Sequence, residues 1–344
     1  MQENVSKQRD ISYDILRILL CVFVIAIHTR PLELQNHEKL SAMILPIIYL
    51  CNPLFFMISG RFNLCKSFKD KKDIIKFYKN KIFQIVIPWL FYSIILYVWE
   101  LSSEQNLHND MKILIIGFLK KFVSNNISYH LWFMYALLGM LISTPFLSIM
   151  LDAMTDAQRK VFFIVATVWM IFLGGISNFG IEFGGNNFIL NGWIYFYYAG
   201  WYIVQENEDF SRKKFLCTIA IAYIITVLMT VYYVGYAHNV DWALPYIIFT
   251  FSIYKFAISQ GDFCQKVKRE KLIVFLAKRV FSVYMIHVIV IAKVAQWSFI
   301  GKMNVCVRYP FVIGIVFIIS VIIGTILDRI LDFIINVPEK ILCS

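Results

Sequence analysis

The sequence predicts an all-α, polytopic membrane protein: a bundle of about ten transmembrane helices with both termini in the cytoplasm. Three observations lead there. Of 344 residues, 59% are hydrophobic and only 16% are charged, where soluble domains carry about a quarter. The apolar residues gather in runs near the length of about 20 residues that crosses a bilayer. The lysines and arginines fall mostly in the short stretches between those runs. This composition excludes a disordered chain and a soluble globular enzyme. The formal charge of +11 reads as an orientation signal and not as a nucleic-acid footprint, because the cations sit in loops.

The first apolar run, 11–28, follows the polar stretch Met1 to Asp10. It lacks a small-residue cleavage site, so it is expected to be a retained helix and not a signal peptide. Nine more follow at 41–60, 84–100, 130–149, 161–178, 190–204, 214–235, 241–259, 273–296 and 309–335, the sixth short and the last long. The stretch 111–123 is apolar but too short to span, and reads as a re-entrant or interfacial helix. No repeat, low-complexity segment or Pro/Gly/Ser-rich linker divides the chain, so residues 1–344 read as a single membrane domain. With the N-terminus inside, the inner segments hold nineteen Lys/Arg, eight of them between 61 and 83, against seven outside. That bias supports cytoplasmic termini, and an odd helix count would spoil it. Seven cysteines at 21, 51, 65, 217, 264, 306 and 343 form no C-x-x-C and no metal-ligand spacing. They read as small apolar side chains, and no metal is expected.

Ionisable groups inside a bilayer are expensive, and by default they mark function. Asp14, Arg17 and His28 punctuate the first run. At 100° per residue, His28 lies 20° from Arg17 after three full turns and about 16 Å along the axis. Asp14 lies 60° to the other side, and Cys21 falls between. One polar stripe therefore runs along one helix face. The structural alternative is that Asp14 and Arg17 pair and snorkel at the inner surface while His28 caps the outer end.

The pattern D-x-x-R-x10-H formed by Asp14, Arg17 and His28 resembles the opening of acyltransferase family 3, a family of membrane-bound acyltransferases. Phe55-Phe56-Met57-Ile58-Ser59-Gly60 resembles its F-F-x-x-S-G. Lys79 to Pro88 resembles its basic lead-in to a proline-bearing third helix. His130-Leu131-Trp132-Phe133-Met134-Tyr135 resembles its H-L-W-F-x-Y, and Ser282-Val283-Tyr284-Met285-Ile286-His287 its S-x-Y-x-x-H. The elements come in family order across nearly the whole chain. There is one departure: Gln84 stands where the family often has an arginine before the proline. The chain as given also lacks the extracellular hydrolase-like domain of some larger members.

The resemblance implies an integral membrane O-acyltransferase of the bacterial cytoplasmic membrane. It would move an acyl group, usually acetyl, from cytoplasmic acyl-CoA to a hydroxyl of a surface polysaccharide or lipid-linked glycan, modifying the cell envelope. Acetyl-CoA is then a donor substrate, and no permanently bound cofactor is expected. Partners are acyl-CoA, the glycan acceptor and membrane lipids. His28 serves as general base or as nucleophile, with Arg17 and Asp14 organising the donor path. Arg61, Lys79 and Lys81 in the basic loop suit the donor's phosphates, although orientation alone also accounts for that loop.

A second tier comprises His130, Trp132, Tyr135, Ser282, Tyr284 and His287, each also explicable by helix packing or aromatic anchoring. The loop Gly174 to Trp193, rich in Gly, Asn and aromatics with Glu182 as its one acid, suits carbohydrate or an ordinary tight loop. Tyr195, Tyr197 and Tyr198 read as interfacial anchors. The competing function is a transporter or exporter of a glycan or small amino acid on the same scaffold.

Overall fold

The computed structural model describes residues 9–103, 110–178, 183, 189–205, 212–234, 242–260 and 269–342, with side chains in the last helix as far as Ile335. Glu182, His108 and His238 lie outside the described residues. Among the described residues every regular element is helical: α1 (Ile11–Glu33), α2 (Glu38–Ile48), α3 (Cys51–Asn63), α4 (Lys71–Lys81), α5 (Ile87–Ser103), α6 (Met111–Val123), α7 (Trp132–Ala153), α8 (Asp156–Asn178), α9 (Trp193–Gln205), α10 (Arg212–Met229), α11 (Leu244–Ser259), α12 (Glu270–Val294) and α13 (Val305–Leu342).

Eight helical stretches among the described residues are long and apolar enough to cross a membrane. Eight of the ten expected runs correspond to them, with ends that differ by a few residues. The other two, 190–204 and 241–259, form α9 and α11, of 13 and 16 residues. Thirteen residues rise about 20 Å, short of a hydrocarbon core of about 30 Å. Helix α9 is instead an internal post, with every residue from Tyr195 to Ile203 buried. Tyr195, Tyr197 and Tyr198 are therefore core residues and not interfacial anchors. Their hydroxyls stay satisfied without water: Tyr195 pairs with the Thr167 hydroxyl at 2.9 Å, Tyr197 with the Thr144 hydroxyl at 2.7 Å, and Tyr198 donates to the Arg159 carbonyl at 3.2 Å. An apolar helix with paired hydroxyls can be buried all round.

The tightest crossing is between α3 and α9, and two glycines make it. A Cβ on Gly60 would stand 1.7 Å from the Tyr197 carbonyl oxygen, and one on Gly200 would stand 2.1 Å from that of Met57. Small residues let membrane helices meet backbone to backbone, which gives the S-G of Phe55–Gly60 its physical reason.

Two helix interruptions shape the centre. The span from Glu38 to Asn63 breaks at Tyr49-Leu50. Pro53 has no N–H to offer the Tyr49 carbonyl, and Asn52 donates to it instead at 3.1 Å. Ahead of α5, residues Ile82–Val86 form a π-turn in which the Ile87 N–H reaches back to the Ile82 carbonyl. Pro88 would crowd the carbonyl four residues earlier, at Gln84, and the wider turn relieves it. Helix α6 is apolar and largely exposed, with no buried residue, in keeping with a segment that lies at an interface.

Candidate active site

A cavity of about 630 Å³ is enclosed chiefly by α1, the α2–α3 break, the start of α7, and α12. Arg17, Cys21, Val24, Ile27 and His28 all face it, so the helical period places the expected stripe of α1 along one wall. The π-turn contributes Ile85, the broken span contributes Tyr49, Cys51 and Asn52, and α9 contributes Trp193 at its start.

Helices α1 and α12 run side by side in register. The Cys21 thiol lies 3.7 Å from the Val280 carbonyl, an offset of 259 residues, and the same offset pairs His28 with His287. Lys278 therefore stands near the level of Arg17, and both line one end of the cavity. Arg17 lies over the Phe62 ring at 5.0 Å and is 3.7 Å from Asp14. Asp14 itself is buried and does not line the cavity. Arg9 clasps it with two nitrogens at 2.5 and 3.0 Å, a two-toothed grip that leaves Arg17 loosely held. Arg9 precedes the helix and so escapes any argument from helical period.

Further cations gather at this end. Lys66 and Lys81 both sit over the Phe77 ring, at 4.9 and 5.4 Å, and the charges of Lys66 and Arg17 both act on Lys81. Partial burial lowers the Lys66 ammonium below its ordinary value. Like charges crowd here at an electrostatic cost. Lys79 is exposed, and Arg61 turns to the Tyr13 hydroxyl; neither lines the cavity.

At the other end three imidazoles meet. Ring centroids are 5.1 Å apart for His28 and His287, 5.1 Å for His130 and His287, and 6.2 Å for His28 and His130. Tyr129 packs on His28 at 5.0 Å. His28 and His130 line the cavity, whereas His287 is wholly buried behind them. Tyr284 ties the cluster together by donating its hydroxyl to the His130 backbone carbonyl. Among the described residues, no group of three or more His, Cys, Asp or Glu is arranged to hold a metal ion. Trp132 lines the cavity beside Trp193, their rings 5.4 Å apart. Tyr135 points elsewhere: its hydroxyl donates to the Phe122 carbonyl.

Ser282 belongs to a separate cluster. Its hydroxyl donates to Asp328 of α13 at 2.6 Å, as does that of Tyr92 at 2.6 Å and Arg279 at 2.8 Å. Gly324, one turn earlier, admits Ser282 so closely that a Cβ there would lie 2.8 Å from the serine Cβ. Asp328 thereby fixes the rotation of α12, the helix that carries Tyr284 and His287.

The sequence profile described as an acyltransferase domain matches residues 10–329. The chain belongs to acyltransferase family 3. Two curated relatives are similar over part of their length. A serine/alanine racemase of Enterococcus gallinarum is 27% identical over 175 residues, which is 49% of this chain and 23% of that protein. An amino-acid racemase of Enterococcus faecalis is 27% identical over 230 residues, covering 65% and 30% respectively. The chain thus spans less than a third of the length of these relatives. No solved structure matches it. Family membership, with eight helices among the described residues long and apolar enough to cross a membrane, points to a multi-pass membrane protein.

Proposed function

We propose that the protein is an O-acyltransferase of a bacterial cytoplasmic membrane, moving an acetyl group from acetyl-CoA to a hydroxyl of a surface polysaccharide or lipid-linked glycan. One observation carries this reading: a single cavity joins a cluster of cations to a histidine about 16 Å away along one helix. A coenzyme A thioester has that shape, with phosphates at one end, a long thin arm and the reactive carbon at the other. Arg17 and Lys278, with Lys66 and Lys81 beside them, suit the phosphates. The thioester then reaches His28.

In the base-catalysed route, one ring nitrogen of His28 takes the proton of the acceptor hydroxyl. The hydroxyl oxygen bonds to the thioester carbon, the carbon–sulfur bond breaks, and the imidazolium returns its proton to the departing thiolate. In the nucleophilic route, His28 carries the acyl group between two such steps. Trp132 and Trp193 offer aromatic faces where a sugar would stack.

A second reading keeps the scaffold and rests on the same cavity, lined by Arg17 and His28: it would pass a glycan or a small amino acid across the membrane, amino acids being what the two relatives, named as racemases, act on. Incubating the purified protein with labelled acetyl-CoA and candidate glycans separates the two. Label in the glycan supports transfer. Uptake of serine or alanine into proteoliposomes with no consumption of acetyl-CoA supports transport and removes the first reading.

A further inference from the structure

His287 is 0% exposed and does not line the cavity, so substrate does not touch it. Its Nδ1 lies 2.6 Å from the Tyr284 carbonyl oxygen. A carbonyl only accepts, so Nδ1 carries the proton and Nε2 is left as a bare lone pair in the neutral ring. That Nε2 is buried and has no hydrogen-bond partner among the described residues. An unpaired buried acceptor is costly and seeks a donor. The nearest ring in closest to parallel orientation is His28, with centroids 5.1 Å apart and planes 35° apart. That spacing leaves room for one N–H···N bond of about 2.9 Å between facing ring edges. A turn about χ2 of His28, a soft torsion, brings its N–H to the acceptor.

We propose that His287 is the positioning residue of His28. Its Nε2 accepts the N–H of His28, so His28 presents its other ring nitrogen to the cavity as a lone pair. This rests on the acyltransferase reading above. During transfer the hydroxyl proton moves to that lone pair, the oxygen–acyl bond forms, the carbon–sulfur bond breaks, and the same proton leaves with the thiolate. His287 gains and loses no proton. Its bond to His28 strengthens while His28 is charged, because a charged donor makes the stronger hydrogen bond. The other titratable groups around this end are Tyr129 and His130 before α7, Tyr284 on α12 and Cys51 on α3, while Arg17 and Lys278 stand at the far end. His130 is the competing partner of His287, at the same 5.1 Å but with its ring turned 78°.

The test uses the purified full chain as wild type, His287→Phe and His287→Gln. Phenylalanine fills the space without an acceptor, and glutamine keeps one. Turnover is measured across pH. In parallel, carbethoxylation of His28 by diethylpyrocarbonate is followed by mass spectrometry, a readout that needs no activity. His287→Phe should lower kcat on the order of tenfold to a hundredfold with donor KM unchanged. The acid limb of the profile and the modification midpoint at His28 should both move to lower pH, since the imidazolium has lost its acceptor. His287→Gln should fall between. Unchanged kcat and midpoint in His287→Phe would overturn the proposal. So would a fall in kcat with the midpoint fixed and His287→Gln no better than His287→Phe. If His287→Phe does not fold, His287→Gln against wild type decides by the same midpoint. If the wild type transfers no acyl group at all, the acyltransferase reading fails, while the His28 midpoint still judges the pairing.

Discussion

At the scale of single residues, the two ends of the α1 stripe have separable jobs, and each gives a prediction. His28 is the one imidazole that both lines the cavity and sits a helix-length from the cations on the same wall. His28→Ala should reduce acyl transfer by on the order of a hundredfold or more while the protein elutes as wild type in detergent. Activity within about threefold of wild type would remove His28 from the chemistry. Arg17 meets Asp14 only at 3.7 Å because Arg9 has taken the carboxylate, which leaves its planar fork available to an anion. Arg17→Lys should therefore weaken acetyl-CoA binding, read by calorimetry, by about tenfold, the worth of one charge-assisted hydrogen bond. Equal donor affinity in the variant would reduce Arg17 to a helix-end cation. The stripe was legible because a period of 3.6 residues needs no tertiary information. Arg9 was not, since it precedes the helix, and neither was the part of Lys278, which comes from another helix; Lys66 was legible only as one of the eight cations of the loop 61–83.

At the scale of elements, membrane helices have no hydrophobic force between them and depend on close approach and buried polar links. The α3–α9 crossing shows the first. Gly60→Ala puts a methyl group into the Tyr197 backbone, and helix backbones cannot yield as a side-chain tip can. The crossing must open, moving Phe55 and Ser59 on the cavity wall. A drop in melting temperature is expected, with overpacking costs of about 1–3 kcal/mol; an unchanged melt would mean that the crossing is looser than described. The Asp328 cluster shows the second. Asp328→Ala strands Arg279, Ser282 and Tyr92, and losing one partner of a buried charged set costs about 3–5 kcal/mol. Asp328→Asn, which still accepts, should lose less, as chemical denaturation of the two variants would read. An acid inside an apolar run is itself a signal, but its partners lie 46, 49 and 236 residues away, so pairing was beyond a linear reading. The motif Phe55–Gly60 was visible as a pattern, whereas its reason, a short buried helix against Gly60, required the fold. The sequence also overstated α9: twelve apolar or aromatic residues in a row, Trp193 to Val204, suit a spanning segment and a buried post alike.

At the scale of the whole molecule, function depends on sidedness. The cavity is asymmetric, with cations at the Arg17 end and imidazoles with two tryptophans at the other. If the donor is cytoplasmic and the glycan is completed outside, the Arg17 end must face the cytoplasm. The distribution of loop charges agrees, with eight Lys/Arg between 61 and 83 and few in the loops at the opposite side. Lys71 opens α4 at the cationic end, and Lys302 lies in the short turn between α12 and α13 at the other, both exposed. In a background without the seven native cysteines, Lys302→Cys should react with an impermeant maleimide in intact cells. Lys71→Cys should react only after the membrane is opened. Labelling of the Lys71 site in intact cells, with Lys302 protected, would turn the cationic end away from the acyl-CoA pool. The same cavity would then have to take its anion from outside, and transfer from a cytoplasmic thioester would no longer be possible by the route through Arg17.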